Sequence, residues 1–270
     1  MDLMLCRSLT LAEAMKTEWN TKNEGNSRFW YIEQKIDGSR YQLVKKDGKA
    51  YLTGRRGFEH LKQFPEFLGD IAKLPDNTIL DGEVFAGDFE TTLSRENETK
   101  PLMITLKARR FPAKFFVFDV LQYNGQDVRD LNLASRKAWL EKLFYGTPYS
   151  CFVKIPRYKS LEEGIEEVKK VNGEGLVLKW GQSNYTDARS PNWIKVKFTK
   201  TKVAEIKGFE QKANIVLITE YGRCSVPSQN DQKFYLEHRP KQVVVEFLEL
   251  TDNNKWRQPK FERFIEGVMV

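Results

Sequence analysis

The 270-residue sequence predicts an α+β fold in two parts: short strands interleaved with helices over residues 1–198, then a small β-barrel over residues 199–270. Three observations predict it. Short aromatic and β-branched runs recur with turn signals between them. Several segments among them carry helical spacing instead. After Phe198 the strands continue, but helical signals fade.

The elements follow in order. LTLAEAMK (Leu9–Lys16) reads as a short helix with Thr10 as its cap. From Trp30 the pattern turns to β with WYIEQK, RYQLVKK and KAYLTG. Asp47-Gly48 between the last two is a hairpin signal. FPEFLGDIAKL (Phe64–Leu74) is a helical candidate, and TILDGEVFAG and AKFFVFDVLQY are strands. SRKAWLEKLF (Ser135–Phe144) and SLEEGIEEVKKV (Ser160–Val171) show helical spacing, the second capped by Ser160. GLVLKW and WIKVKF are strands again. TKTKVAEIKGFE, ANIVLITEYG, QVVVEFLELT and KFERFIEG supply the barrel.

Composition narrows the chemistry. Lys plus Arg 44 against Asp plus Glu 37 gives +7, which suits a polyanionic partner without naming one. Residues 1–198 carry +5 and residues 199–270 carry +2, so neither half is a basic tail. Cys6, Cys151 and Cys224 are odd in number and widely spaced, which argues against a disulfide framework and a zinc site. A reducing intracellular compartment is the default. With only His60 and His238, zinc-hydrolase patterns and serine-type triads have little to build from. No apolar run approaches the roughly 20 residues of a membrane span, and the N-terminus lacks a secretory pattern. Catalysis, if present, falls to Lys, Arg, Asp and Glu.

The sharpest segment is Glu33-Gln34-Lys35-Ile36-Asp37-Gly38-Ser39-Arg40, a lysine at a strand end followed by a turn. Alone it reads equally as a hairpin with a solvated lysine and as an amine nucleophile. A free lysine has a pKa near 10.4, so a nucleophile needs cations close by or partial desolvation to release its amine. Arg40, Arg55, Lys195 and Lys197 are the cations expected to supply that field if the fold gathers them.

Lys-x-Asp-Gly-x-Arg here resembles the signature of the covalent nucleotidyltransferases: ATP-dependent DNA ligases, RNA ligases and mRNA capping enzymes. Further segments follow in that family's order. Thr53-Gly54-Arg55-Arg56-Gly57 resembles the arginine-bearing second motif, with Gly54 in place of the usual serine. Asp81-Gly82-Glu83-Val84-Phe85 resembles the third, and Phe116-Val117-Phe118-Asp119 the aromatic strand that stacks on the base. Glu174-Gly175-Leu176-Val177-Leu178-Lys179 resembles the fourth and Trp193-Ile194-Lys195-Val196-Lys197 the fifth. Arg257-Gln258-Pro259-Lys260-Phe261 resembles the ligase motif of the second domain. Arg40, Glu174-Gly175 and the Ser-Pro-x-Trp lead-in at 190–193 look most like DNA ligases.

The resemblance implies a nucleotidyltransferase (adenylation) domain of antiparallel sheets with flanking helices, followed by an OB-fold. It also implies a three-step sealing of nicked duplex DNA that uses ATP. Lys35 is the implied nucleophile and AMP carrier. Glu174 and Glu83 serve the metal and the ribose region, with Mg²⁺ expected and Mn²⁺ as an alternative. Lys195 and Lys197 alternate on one face of a strand, aimed at a phosphate; unaided by the other motifs, that strand reads as an ordinary lysine-edged one. Phe118 covers the adenine, with Val177 opposite, although FFVFDV reads equally as plain core. Glu33 or a neighbouring backbone group reads the adenine amino group. Arg40 and Arg55 are placed for phosphates. Arg257 and Lys260 orient the leaving pyrophosphate, with residues 198–202 as the hinge. The resemblance leaves an RNA ligase or a capping-type guanylyltransferase as the rival, and a non-catalytic module with a decayed site as the other class. DNA contacts are expected from Arg55, Arg56, Arg109 and Arg110. The last two lie in the basic stretch Arg95–Lys114, read as a loop that tracks phosphates or as a solvated insertion. The partner is nicked duplex DNA, and a monomer is expected.

Overall fold

Short runs of apolar, aromatic and β-branched residues place the main strands of the first unit, and side-chain caps at Thr10, Asp88, Asn132 and Ser160 fix where helices begin. The computed structural model describes residues 3–22, 28–251 and 253–265. The chain divides into two units, Met1–Val196 and Lys197–Val270. The first opens with β1 (Leu5–Leu9) and α1 (Leu11–Lys16). Thr10 and Glu13 close a reciprocal capping box at that helix start. β2 (Trp30–Lys35), β3 (Ser39–Lys46) and β4 (Lys49–Gly54) follow. Asp47 and Gly48 both take positive φ, 51° and 70°, the two-residue turn whose twist matches right-handed strands.

Two short 3₁₀ turns lead into α2 (Leu68–Lys73), then β5 (Thr78–Phe85). α3 (Phe89–Glu96) and α4 (Pro101–Arg110) precede β6 (Lys114–Tyr123) and β7 (Gln126–Asp127). α5 (Leu133–Phe144) is capped by Asn132. β8 (Phe152–Lys154), β9 (Arg157–Tyr158) and α6 (Leu161–Lys170) come next, the helix capped by Ser160. β10 (Gly175–Trp180) and β11 (Arg189–Lys197) complete the set.

These strands form two sheets. One runs β1-β11-β10-β2-β9; the other runs β4-β3-β5-β6-β7, with β8 added to β6. β1 on β11 and β8 on β6 are parallel, whereas β2 on β10 and β9, β3 on β4 and β5, and β6 on β5 and β7 are antiparallel. Tyr41, Leu43, Phe64, Phe67, Leu80, Phe115 and other apolar side chains fill the core on the second sheet. Each such side chain stabilises the fold by about 1.5–3 kcal/mol relative to exposure.

The basic stretch Arg95–Lys114 departs from expectation. It is not a loop but the end of α3 and all of α4, and α4 itself buries no side chain, as a solvated insertion would. Asp88 caps α3 through Thr91 N, and Pro101 starts α4 where a missing N–H costs nothing. Arg95 is 1% exposed and forks onto Glu66, Phe111 O and Gln63 O, so it holds structure. No described helix is long and apolar enough to cross a membrane.

The second unit holds β12 (Lys200–Gln211), β13 (Ile215–Thr219), β14 (Gly222–Val226), α7 (Gln229–His238), β15 (Gln242–Phe247), β16 (Glu249–Leu250), β17 (Trp256–Arg257) and β18 (Lys260–Ile265). The order β14-β13-β12-β15-β18 is antiparallel, and its two end strands also approach each other. Leu217, Val226, Val243, Val245 and Trp256 lie in its core. α7 is absent from the sequence reading because Gln229–His238 is mostly polar and buries only Tyr235; Ser228 caps it through Asp231 N. Of the predicted hinge, Lys200, Thr201 and Lys202 belong to β12 and pair with Phe247, Glu246 and Val245, which leaves Phe198 and Thr199 between strands. Glu266 and Gly267, the end of the predicted strand KFERFIEG, lie outside the described residues.

Candidate active site

The motifs converge because of strand register. Arg40 on β3 stands opposite Glu83 on β5, and Lys35 on β2 stands opposite Gly175, next to Glu174. Close backbone approach demands the motif glycines. A Cβ on Gly38 would lie 2.0 Å from Val84 O, and one on Gly82 would lie 2.6 Å from the Phe115 ring. The result is a cavity in the first unit whose walls include Lys35, Arg40, Glu83, Phe118, Val177 and Lys195.

Lys35 Nζ hydrogen-bonds the Glu174 carboxylate, which is 2% exposed at its side chain. Burial opposes the lysine's charge, but Glu174 first and then Glu83 outweigh it and hold the ammonium above its ordinary range. This corrects the expectation of a field of cations depressing Lys35. The nearest charged partners are carboxylates. Glu83 is pushed up to about 7, chiefly by burial; Lys35 and Arg40 pull it down, and Glu174 and Asp81 push it up.

Arg40 is held by its neighbours. Its guanidinium grips Asp81 at 2.7 and 3.0 Å, donates to Met4 O at 2.6 Å, and lies 5.2 Å from the Phe118 ring centre. Tyr185 OH donates to the same Asp81 at 2.7 Å. Phe118 meets Trp193 edge-on at 6.0 Å. Glu33 is 1% exposed, and its two oxygens face Lys137 and Lys179, the latter at 2.8 Å. Burial alone would raise its pKa; the two lysines together lower it. The carboxylate expected to read a base is therefore already engaged by two ammoniums.

Lys137, Lys179, Asp81, Tyr185 and Trp193 carry this arrangement and had no role in the sequence reading. Asp81 and Lys179 lay inside quoted motifs, as Trp193 did. Lys137 and Tyr185 had no local signal, since each meets its carboxylate partner 104 residues away in sequence.

The remaining predicted residues lie elsewhere. Arg55 lines the cavity as an exposed side chain, and the neighbouring Arg56 is exposed too. Arg109 and Arg110 are exposed at the end of α4. Lys197 is not among the cavity-lining residues; its ammonium donates to Gln258 Oε1 within the second unit. Arg257 pairs with Glu249 at 2.7 Å and Lys260 with Glu246 at 3.1 Å. Among the described residues, no three His, Cys, Asp or Glu side chains gather as a metal cage. Glu83 and Glu174 alone fit a hard cation that takes one or two carboxylates and completes its shell with water and phosphate.

The chain resembles known proteins in sequence and in fold. The sequence profile of the ATP dependent DNA ligase domain matches residues 4–197. The chain is 30% identical over 213 residues to the bifunctional non-homologous end joining protein LigD of Bacillus subtilis, covering 70% of this chain and 35% of LigD. It is 30% identical over 210 residues to the SPbeta prophage-derived DNA ligase-like protein LigB of the same organism, covering 75% and 71%. It is likewise 30% identical over 191 residues to DNA ligase 4 of Gallus gallus, covering 64% and 21%. The chain thus spans about a third or less of LigD and DNA ligase 4. In fold it resembles a Lig E DNA ligase, with TM-score 0.72 and 21% identity over 98% of this chain and 99% of the other. It also resembles the ligase domain of M. tuberculosis LigD, with TM-score 0.59 and 19% identity over 98% and 95%.

Proposed function

This chain belongs to the ATP-dependent DNA ligase family, and from that premise we propose that it seals nicks in duplex DNA through a lysyl-AMP intermediate on Lys35. The observation that carries the reading is Lys35 at a strand end, beside Glu174 and Glu83, in one cavity with Phe118, Val177 and Lys195.

In the first step Lys35 Nζ forms a bond to the α-phosphorus of ATP, the α–β bond breaks, and pyrophosphate leaves. The ammonium must first give up the proton that its carboxylate neighbours hold, and the hydrogen-bonded Glu174 carboxylate is the acceptor in contact with it. Mg²⁺, when bound at Glu83 and Glu174, supplies positive charge to the phosphate oxygens. Lys195 adds charge to the α-phosphate, and Arg40, anchored by Asp81, presents a fixed guanidinium to the same region. Phe118 and Val177 form the base slot. AMP then passes to the 5′-phosphate of the nick, and the 3′-hydroxyl attacks and releases AMP.

On the same reading the first unit is the adenylation domain and the second an OB-fold. Lys197 serves the phosphates, and Arg257 and Lys260 serve the leaving pyrophosphate. Those roles require each to exchange its present partner, Gln258, Glu249 and Glu246 respectively. Arg55, Arg56, Arg109 and Arg110 contact the DNA backbone, and the protein acts as an intracellular monomer.

The test is incubation with α-labelled ATP or GTP, followed by nicked DNA, nicked RNA on DNA, and nicked RNA. Covalent label from ATP, chased onto a DNA nick and absent in Lys35→Ala, is the expected result. Label from GTP alone, or sealing by the Lys35→Ala variant, overturns it.

A further inference from the structure

One buried ammonium joins three elements at the base end of the cavity. Lys137, on α5, donates to Phe118 O at 2.8 Å and to the Glu33 carboxylate. Phe118 belongs to β6 in one sheet, and Glu33 belongs to β2 in the other. All three residues are under 9% exposed. We propose that Lys137 is a positioning residue that fixes Glu33 against the Phe118 backbone and so sets the slot that receives the purine base. The inference rests on the reading of this cavity as the ATP site.

Two features separate this role from simple support of the fold. Arg136, the preceding residue, already docks α5 on β6 through two 2.9 Å bonds to Asp119 and a further bond to Ser183 O. The helix therefore stays anchored without Lys137. Glu33 also keeps Lys179 at 2.8 Å when Lys137 is removed, so its charge remains partnered. The distinctive loss is the link across the two sheets. Phe118 O and one Glu33 oxygen, on residues under 9% exposed, then lose their Lys137 donor, and the slot relaxes. Burial favours a neutral Lys137 amine, while Glu33 supports the charged donor.

The test is the ATP dependence of Lys35 self-labelling in wild type, Lys137→Met and Lys137→Gln. The second change leaves the Glu33–Lys179 pair intact and keeps a polar but shorter side chain, so it serves if the first unfolds the protein. The half-saturating ATP concentration is expected to rise about tenfold or more, with the limiting rate changed by less than about threefold. A merely structural role would reduce the limiting rate, through loss of active protein, at unchanged half-saturation. That result, or no change in either parameter, overturns the proposal. Wild-type protein that takes no label from ATP overturns the ATP-site reading together with it; wild-type labelling beside unaltered variants overturns this proposal alone.

Discussion

Lys35 holds its proton firmly, and Glu83 sits where a proton can be gained or lost near neutrality. Their coupling yields a pH prediction. Glu83 is raised from 4.5 to about 7, so it ionises as pH rises through that value. If Glu83 holds the metal, as proposed, it must be ionised to do so. Lysyl-AMP formation should therefore increase with pH through about 7, and its initial rates from labelled ATP will report this. Stability runs the other way. The neutral form of Glu83 stabilises the fold fully below 4.5, and that contribution is lost as pH rises through about 7. Glu83→Gln, which cannot ionise, should melt higher than wild type above that range; an equal gain at acid pH would contradict the assignment. The sequence named Glu83 and Glu174 as acids for the metal and the ribose region. It did not reveal that they, rather than cations, surround Lys35, because their proximity depends on register between strands far apart in the chain.

Elements were legible wherever short-range chemistry settles them. The Asp47-Gly48 turn, the Thr10 cap and the Ser160 cap lie where the sequence places them. Thr10→Ala should cost about 1 kcal/mol in denaturant unfolding, since it removes one capping acceptor. Gly38→Ala should cost more, above about 2 kcal/mol, because its new methyl would strike Val84 O and force β3 from β5. A Gly38→Ala loss no larger than that of Thr10→Ala would mean the turn yields easily. α4 and α7 escaped the sequence reading for a physical reason. α4 buries no side chain and α7 buries only Tyr235, so neither carries the apolar stripe by which a helix is read.

For the whole molecule, the charge of +7 matters through where cations stand. If exposed arginines meet phosphates, nick affinity should fall linearly with salt on a log–log scale. Alanine at both Arg55 and Arg56 should reduce the slope by about 2, as should alanine at both Arg109 and Arg110. Binding titrations at several salt concentrations check this, and an unchanged slope for the second pair would remove α4 from the DNA surface. By itself the sequence determined most of the longer strands, though not β1, β7, β8, β9, β14 or β17, together with the ordered motifs, the lysine at the end of β2 and the change of character near residue 198. Local alternation, caps and turn residues suffice for these. Only the tertiary structure decided which charges meet. It placed Arg40 on Asp81, Glu33 between Lys137 and Lys179, Arg95 in the interior and Lys197 on Gln258. Long charged side chains choose partners by distance and burial in the folded chain, and neither quantity is written in local sequence.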